Sequence, residues 1–329
     1  MKKSVKLFLT LMTSLLFIAA CTSPTNESNS DFPPSNANED QIEIITSIFP
    51  MYEIVKEVAG DRANVSLMVG SNEDAHHYEP SAQAIANVNE ADVFVYSSDV
   101  MEFWVSDLLD VVENDALKVI EYGEDLNLEI EESKEHALHG EEAHDDHDHD
   151  HAHDHGGLDP HFWLNLVAVN NQLPKIVETL SEVDPDGAEY YEENAEMFSN
   201  RLLTLDQEYL EAFADATNRV FVVQHQAFGH LADRYHLEQV AVGGLSTEVE
   251  ASPKALAEII DFVNEQEVPV IYYQSGGNSA VAETIANETN TEIAVLYDLE
   301  SQPADLESDG NVYLEAMTKN LEQLKKSIQ

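Results

Sequence analysis

Three things are scarce in this 329-residue chain. It carries one cysteine, Cys21, so no disulfide can form within it. Beyond its first twenty residues, no apolar run approaches the ~20 residues that span a bilayer. Basic residues are few as well: 15 Lys+Arg stand against 64 Asp+Glu, for a net charge of −49. A surface so acidic repels nucleic acid and anionic lipid head groups, which excludes nucleic acid as a partner. The acid excess names no function and reads as a solubility adaptation to a salty or alkaline exterior.

The first residues read as an export signal over 1–20. Lys2, Lys3 and Lys6 precede an apolar run over 7–20, too short to cross a membrane. The run ends Ile18-Ala19-Ala20-Cys21, which resembles the bacterial lipobox and implies a lipid anchor on Cys21. Residues 21–40 are Ser-, Asn-, Pro- and acid-rich with almost nothing to bury, and read as a lipid-anchored, disordered linker. The expectation is a soluble, monomeric body held at the outer face of a bacterial cell membrane.

Past residue 40 short β-rich runs alternate with amphipathic stretches. Strands are expected over 42–48, 65–69, 93–96 and 117–120, and again over 220–223, 239–242, 268–273 and 292–296. Helices are expected over 52–59, 82–89, 103–112, 227–235, 253–265, 280–288 and 313–327, with Ser81 and Ser252 as N-caps. Alternation of this kind implies parallel sheets, and two such series imply two α/β lobes. Between them Ala188, Tyr191, Ala195, Phe198, Leu202, Leu205, Tyr209 and Ala212 keep a 3–4 spacing. That predicts one long rigid helix over 185–216, joining a lobe over 41–184 to a lobe over 217–329, with a cleft between them.

Eight of the 14 histidines lie in one stretch: His136, His139, His144, His147, His149, His151, His153 and His155. Short His-rich tracts read as metal binding, and this one sits in an acid-rich loop over 131–157. Four further places concentrate ligands: 73–81 with His76 and His77, 159–165 with His161, 224–229 with His225, and 297–300 with Asp298 and Glu300. Three of these follow the carboxyl end of an expected strand, where ligands bind in open α/β sheets. Three imidazoles and a carboxylate suit four-coordinate zinc. In extended chain His76 and His77 point opposite ways, so one of them is expected as a ligand. His230 and His236 read as surface residues. Asp298 or Glu300 is also a plausible cap for whatever follows.

Ile48-Phe49-Pro50-Met51-Tyr52, Ala75-His76-His77-Tyr78-Glu79-Pro80-Ser81, Leu158-Asp159-Pro160-His161-Phe162-Trp163-Leu164-Asn165, Gln224-His225-Gln226-Ala227-Phe228-Gly229 and Gly244-Leu245-Ser246 together carry a resemblance. In this order they resemble the signature segments of zinc- and manganese-binding lipoproteins (cluster A-I) that serve ABC metal-uptake transporters. The resemblance implies two α/β lobes joined by one long helix, with the metal in the cleft. It implies ligands at His76, His161 and His225. Glu at the third position is the manganese habit, so His225 favours zinc. For the fourth ligand the resemblance points to Glu300, with Asp298 close behind, because Tyr297-Asp298-Leu299-Glu300 departs from the usual pattern. It also implies that the His-rich loop is an auxiliary zinc-capture device, and that the partners are a permease and ATPase of an ABC zinc importer.

The function expected is therefore extracytoplasmic Zn²⁺ binding and delivery, with manganese uptake as the alternative within the same family. An adhesin and a zinc hydrolase are the alternatives from other classes. Against the hydrolase, no HExxH-like pairing of ligand and general base occurs, and a closed four-ligand site leaves no position for an activated water.

Overall fold

Runs such as Val93-Phe94-Val95-Tyr96 and Val220-Phe221-Val222-Val223 are apolar at every position, as strands covered on both faces must be. In the computed structural model, which describes residues 41–71, 73–129, 158–245, 252–306 and 310–329, they form the centres of two parallel sheets. The first sheet contains β1 (Ile42–Thr46), β2 (Ala63–Leu67), β3 (Val93–Tyr96) and β4 (Lys118–Glu121), in the order β2-β1-β3-β4. The second contains β5 (Val220–Val223), β6 (Glu238–Ala241), β7 (Val270–Gln274) and β8 (Glu292–Leu296), in the order β6-β5-β7-β8. Both sheets thus reverse their strand order beside their first strand, which opens a crevice at the carboxyl ends. Helices α1 (Phe49–Ala59), α2 (Ala82–Glu90) and α3 (Val105–Val111) connect the first sheet. Helix α4 (Leu166–Val183) follows the segment that returns from the undescribed residues 130–157.

The long helix is α5 (Ala188–Phe213), 26 residues and about 39 Å at 1.5 Å per residue. It is shorter than the expected 185–216, because Pro185–Gly187 forms a separate 3₁₀ turn ahead of it. Its apolar stripe buries Tyr191, Ala195, Phe198, Leu202, Leu205, Tyr209 and Phe213. The first half packs on α1 and α4, the second on α6 (Gly229–Tyr235) and α9 (Val312–Leu324). Asn194 Nδ2 donates to the Val58 carbonyl (3.0 Å), and Arg234 of α6 grips Asp206 of α5 through two bonds of 2.8 and 2.6 Å. Helices α7 (Pro253–Glu265) and α8 (Ala280–Thr289) cover the other face of the second sheet.

The fold class read from the sequence is the one observed: two lobes, each a parallel sheet flanked by helices, joined by one long helix. Differences are local. Helix α4 was not anticipated. Its sequence contains Pro174, which reads as a helix breaker, yet the helix continues for 18 residues with Asn165 capping its start. The second strand lies two residues earlier than expected, since its register is set by pairing with β1, Ile42 opposite Ala63 through Thr46 opposite Leu67. Met68 and Val69 still donate to the Thr46 and Ser47 carbonyls beyond the strand's end.

The lobes share more than α5. One hydrophobic core includes residues of both, among them Ile54, Val95, Trp163, Phe198, Val223 and Met317. A smaller core lies beneath α7 and α8. Helix α9 of the second lobe packs on α1 of the first, and the Glu53 carboxylate accepts from Val312 N (2.6 Å) at its amino end. A negative charge there meets unsatisfied amides and the positive end of the helix dipole.

Candidate metal centre

Four ligand-bearing segments converge between the lobes. His76 follows β2, on the 3₁₀ turn Ala75–His77. The Asp74 side chain caps that turn by accepting from His76 N (2.8 Å). The turn buries His76 to 2% exposure and leaves His77 outside, so the two do diverge, although on a 3₁₀ turn rather than in extended chain. His161 precedes the 3₁₀ turn Phe162–Leu164 and is fully buried. His225 lies two residues beyond β5, and Glu300 four residues beyond β8. The ligand atoms of His76, His161, His225 and Glu300 all lie within 4.8 Å of one another, and all four residues are buried. Glu300 Oε1 is the focus: it lies 2.7 Å from His225 Nε2, 2.9 Å from His161 Nε2 and 3.6 Å from His76 Nε2.

Two of the imidazoles are oriented from behind. His161 Nδ1 bonds the Asp159 carboxylate at 2.6 Å, and His225 Nδ1 bonds the Gly244 carbonyl at 3.1 Å. A carbonyl only accepts, so His225 Nδ1 carries the hydrogen, and in the neutral ring Nε2 then presents its lone pair to the centre. Asp159 imposes the same tautomer on neutral His161. This carboxylate–histidine arrangement is the usual support of a metal-bound imidazole.

The charges are strongly coupled. Burial alone would lower the His161 pKa, but the carboxylates of Asp159 and Glu300 push it up to about 10. His225 is likewise raised, with Glu300 outweighing burial. Burial acts to raise the Glu300 pKa, yet the neighbouring imidazoles hold its carboxyl well below the usual carboxylate range. Asp298 goes the other way, raised first by burial and then by the Glu300 charge. Without a metal, protons on imidazole nitrogen neutralise Glu300. A divalent cation held by these residues would take the place of those protons.

Asp298 is buried but is not among the four residues whose ligand atoms cluster. Its carbonyl accepts from Trp163 Nε1 (2.7 Å). His230 corrects the surface assignment: it is 7% exposed, and its Nε2 donates to the Asp159 carbonyl (2.8 Å). It belongs to α6, whose other buried residues include Leu231 and Tyr235, and no sequence signal separated it from a surface histidine. His236 is exposed and ends α6 in a left-handed conformation, φ 56°. Two further groups escaped sequence reading: Tyr313, whose hydroxyl donates to the Trp163 carbonyl (2.7 Å), and Asn320, which pairs with both backbone groups of Tyr297 at 2.8 Å. The histidines over 136–155, Cys21 and Ser246 lie outside the described residues. The ends of the His-rich segment do not: Glu129 and Leu158 form an antiparallel bridge three residues before His161.

A separate groove of about 780 Å³ runs between α4 and α5, over Leu173, Val177 and Ala195. It holds no histidine or cysteine, so it lacks the nitrogen-rich ligation of the cleft site.

The chain is similar to known proteins along most of its length. The family model "ZnuA: Zinc-uptake complex component A periplasmic" matches residues 44–327. The zinc-binding lipoprotein AdcA of Streptococcus pneumoniae (strain ATCC BAA-255 / R6) is 36% identical over 325 residues, 99% of this chain. The chain spans 61% of that relative's length. The high-affinity zinc uptake system protein ZnuA of Bacillus subtilis (strain 168) is 34% identical, covering 95% of this chain and 94% of that protein. Among solved structures, the Zn(II)-bound ZnuA-like domain of Streptococcus pneumoniae AdcA superposes with a TM-score of 0.71 at 35% identity, over 87% of this chain and 98% of that one.

Proposed function

Because this chain belongs to the ZnuA family of zinc-uptake components, we propose that it is an extracytoplasmic receptor that binds Zn²⁺ and delivers it to the permease and ATPase of an ABC importer. His76, His161, His225 and Glu300 hold the ion, and no catalysis is involved. The observation that carries this reading is the buried set of three imidazoles and one carboxylate, with two of the rings held through Nδ1 so that Nε2 faces the centre. Nitrogen-rich four-coordinate ligation suits zinc better than manganese, which favours oxygen.

Glu300 serves as the fourth ligand. The closeness of its Oε1 to all three imidazoles supports this, while the Asp298 carboxylate is not among the clustered ligand atoms. Cys21 carries the lipid anchor, the mature protein is a monomer, and the histidines over 136–155 gather zinc near the cleft.

Metal affinity of the purified protein, with and without His76, His161 and His225 changed to Ala, tests the site. One tight zinc per wild-type chain and none in the triple variant is expected; a triple variant that keeps its tight zinc rejects the site. Growth of a deletion strain in chelated medium tests the transport role. Rescue by zinc is expected, and rescue by manganese alone would make the protein a manganese receptor.

A further inference from the structure

Four described residues other than glycine have a positive φ: His236, Glu267, Asn290 and Leu299. The first three are exposed, and two of them cap helix ends, where left-handed residues are ordinary. Leu299 is different. Its φ is 66°, it is 1% exposed, and it lies between the two buried acids Asp298 and Glu300. A bulky residue held left-handed inside a protein stores strain, and such strain persists only where its surroundings over-determine it.

The surroundings here do so. Asn320 of α9 pairs with both the amide and the carbonyl of Tyr297. Trp163 Nε1 holds the Asp298 carbonyl. The Leu299 side chain is anchored in the main core. In extended chain the Glu300 amide would run on away from Asp298 at about 3.3 Å per residue. The left-handed residue turns the chain at this point, and the Glu300 side chain reaches the imidazoles at 2.7 and 2.9 Å.

We propose that Leu299 is a positioning residue: its strained, left-handed backbone aims Glu300 at the metal. This rests on the reading of Glu300 as a zinc ligand. The consequence runs against side-chain packing. Ile matches Leu in volume but is β-branched and resists this conformation, whereas Gly and Asn enter it readily.

The test compares zinc affinity of the full mature chain, by chelator competition, for wild type and for Leu299→Ile, Leu299→Asn and Leu299→Gly. Thermal unfolding reports stability in parallel. Leu299→Ile is expected to bind zinc about tenfold more weakly, and Leu299→Gly and Leu299→Asn within about threefold of wild type despite the larger loss of packing. In a Glu300→Ala background Leu299→Ile should have no further effect on affinity. Affinities that follow side-chain volume, with Ile retained and Gly weakest, overturn the proposal, and comparing Gly with Asn decides it even if the Ile variant does not fold. A wild-type protein with no tight zinc overturns the function reading itself, and this proposal with it.

Discussion

Trp163 Nε1 donates to the Asp298 carbonyl across 2.7 Å, although the two residues are 135 apart in sequence. The bond ties the segment bearing His161 to the turn bearing Glu300. Trp163→Phe keeps most of the ring and removes the donor, leaving a buried carbonyl unpaired. It should cost about 1–3 kcal/mol of stability in chemical unfolding. It should also weaken zinc binding several-fold, because two ligand segments lose their common brace. An unchanged affinity would show that the segments are braced independently.

Asp159 supports His161 from behind. Loss of such an outer partner typically lowers metal affinity about 10- to 100-fold. Asp159→Asn should fall in that range by chelator competition, while His236→Ala, at an exposed helix end, should leave affinity unchanged.

Zinc binding should depend on pH with a definite sign. The His161 pKa is pushed up to about 10 and that of His225 is raised, so the metal-free site holds protons at neutral pH. Zinc takes neutral imidazole, so binding expels them. Affinity should rise about tenfold per pH unit through the neutral range for each proton released. Calorimetry in buffers of different ionisation heat should yield one or more protons per zinc. A binding heat that is the same in every buffer would contradict the charge state assigned here.

The His-rich segment should be removable. Its ends already pair as the Glu129–Leu158 bridge, so a two-residue Asn-Gly turn can replace residues 130–157 with little strain. The shortened protein should keep its melting temperature and its tight cleft zinc, and lose the weaker zinc equivalents measured by metal analysis. A loss of cleft affinity beyond tenfold would assign the segment a part in the site itself.

Glu53 belongs to α1 of the first lobe and accepts from the leading amides of α9 in the second. Glu53→Ala should destabilise the protein by about 1–2 kcal/mol, the usual scale for a lost cap. One zinc per chain should still bind.

Elements with strong local signals were legible in the sequence. Val93–Tyr96 and Val220–Val223 are continuous apolar runs, and Ser252-Pro253 announces α7 by cap and proline, so all three coincide with the structure. Helix α4 was not legible: its interior holds Pro174, which stands on the exposed side of the helix. The residues that converge at the site could be named from motifs, yet their mutual geometry could not. His230, Tyr313, Asn320 and the left-handed Leu299 act through contacts with residues 23 to 150 positions away or through backbone conformation, which residue type alone does not encode. His230 is the clearest case: an ordinary helix histidine in sequence, it is a buried donor to the segment that carries His161.

The central claim is tested most directly by a crystal structure of the zinc-loaded protein, with anomalous scattering recorded on both sides of the zinc edge. The account predicts one strong zinc peak in the cleft, coordinated by the Nε2 atoms of His76, His161 and His225 and by Glu300, with Asp298 outside the coordination shell. A peak held by Asp298 in place of Glu300, or a tight zinc away from the three histidines, would contradict it.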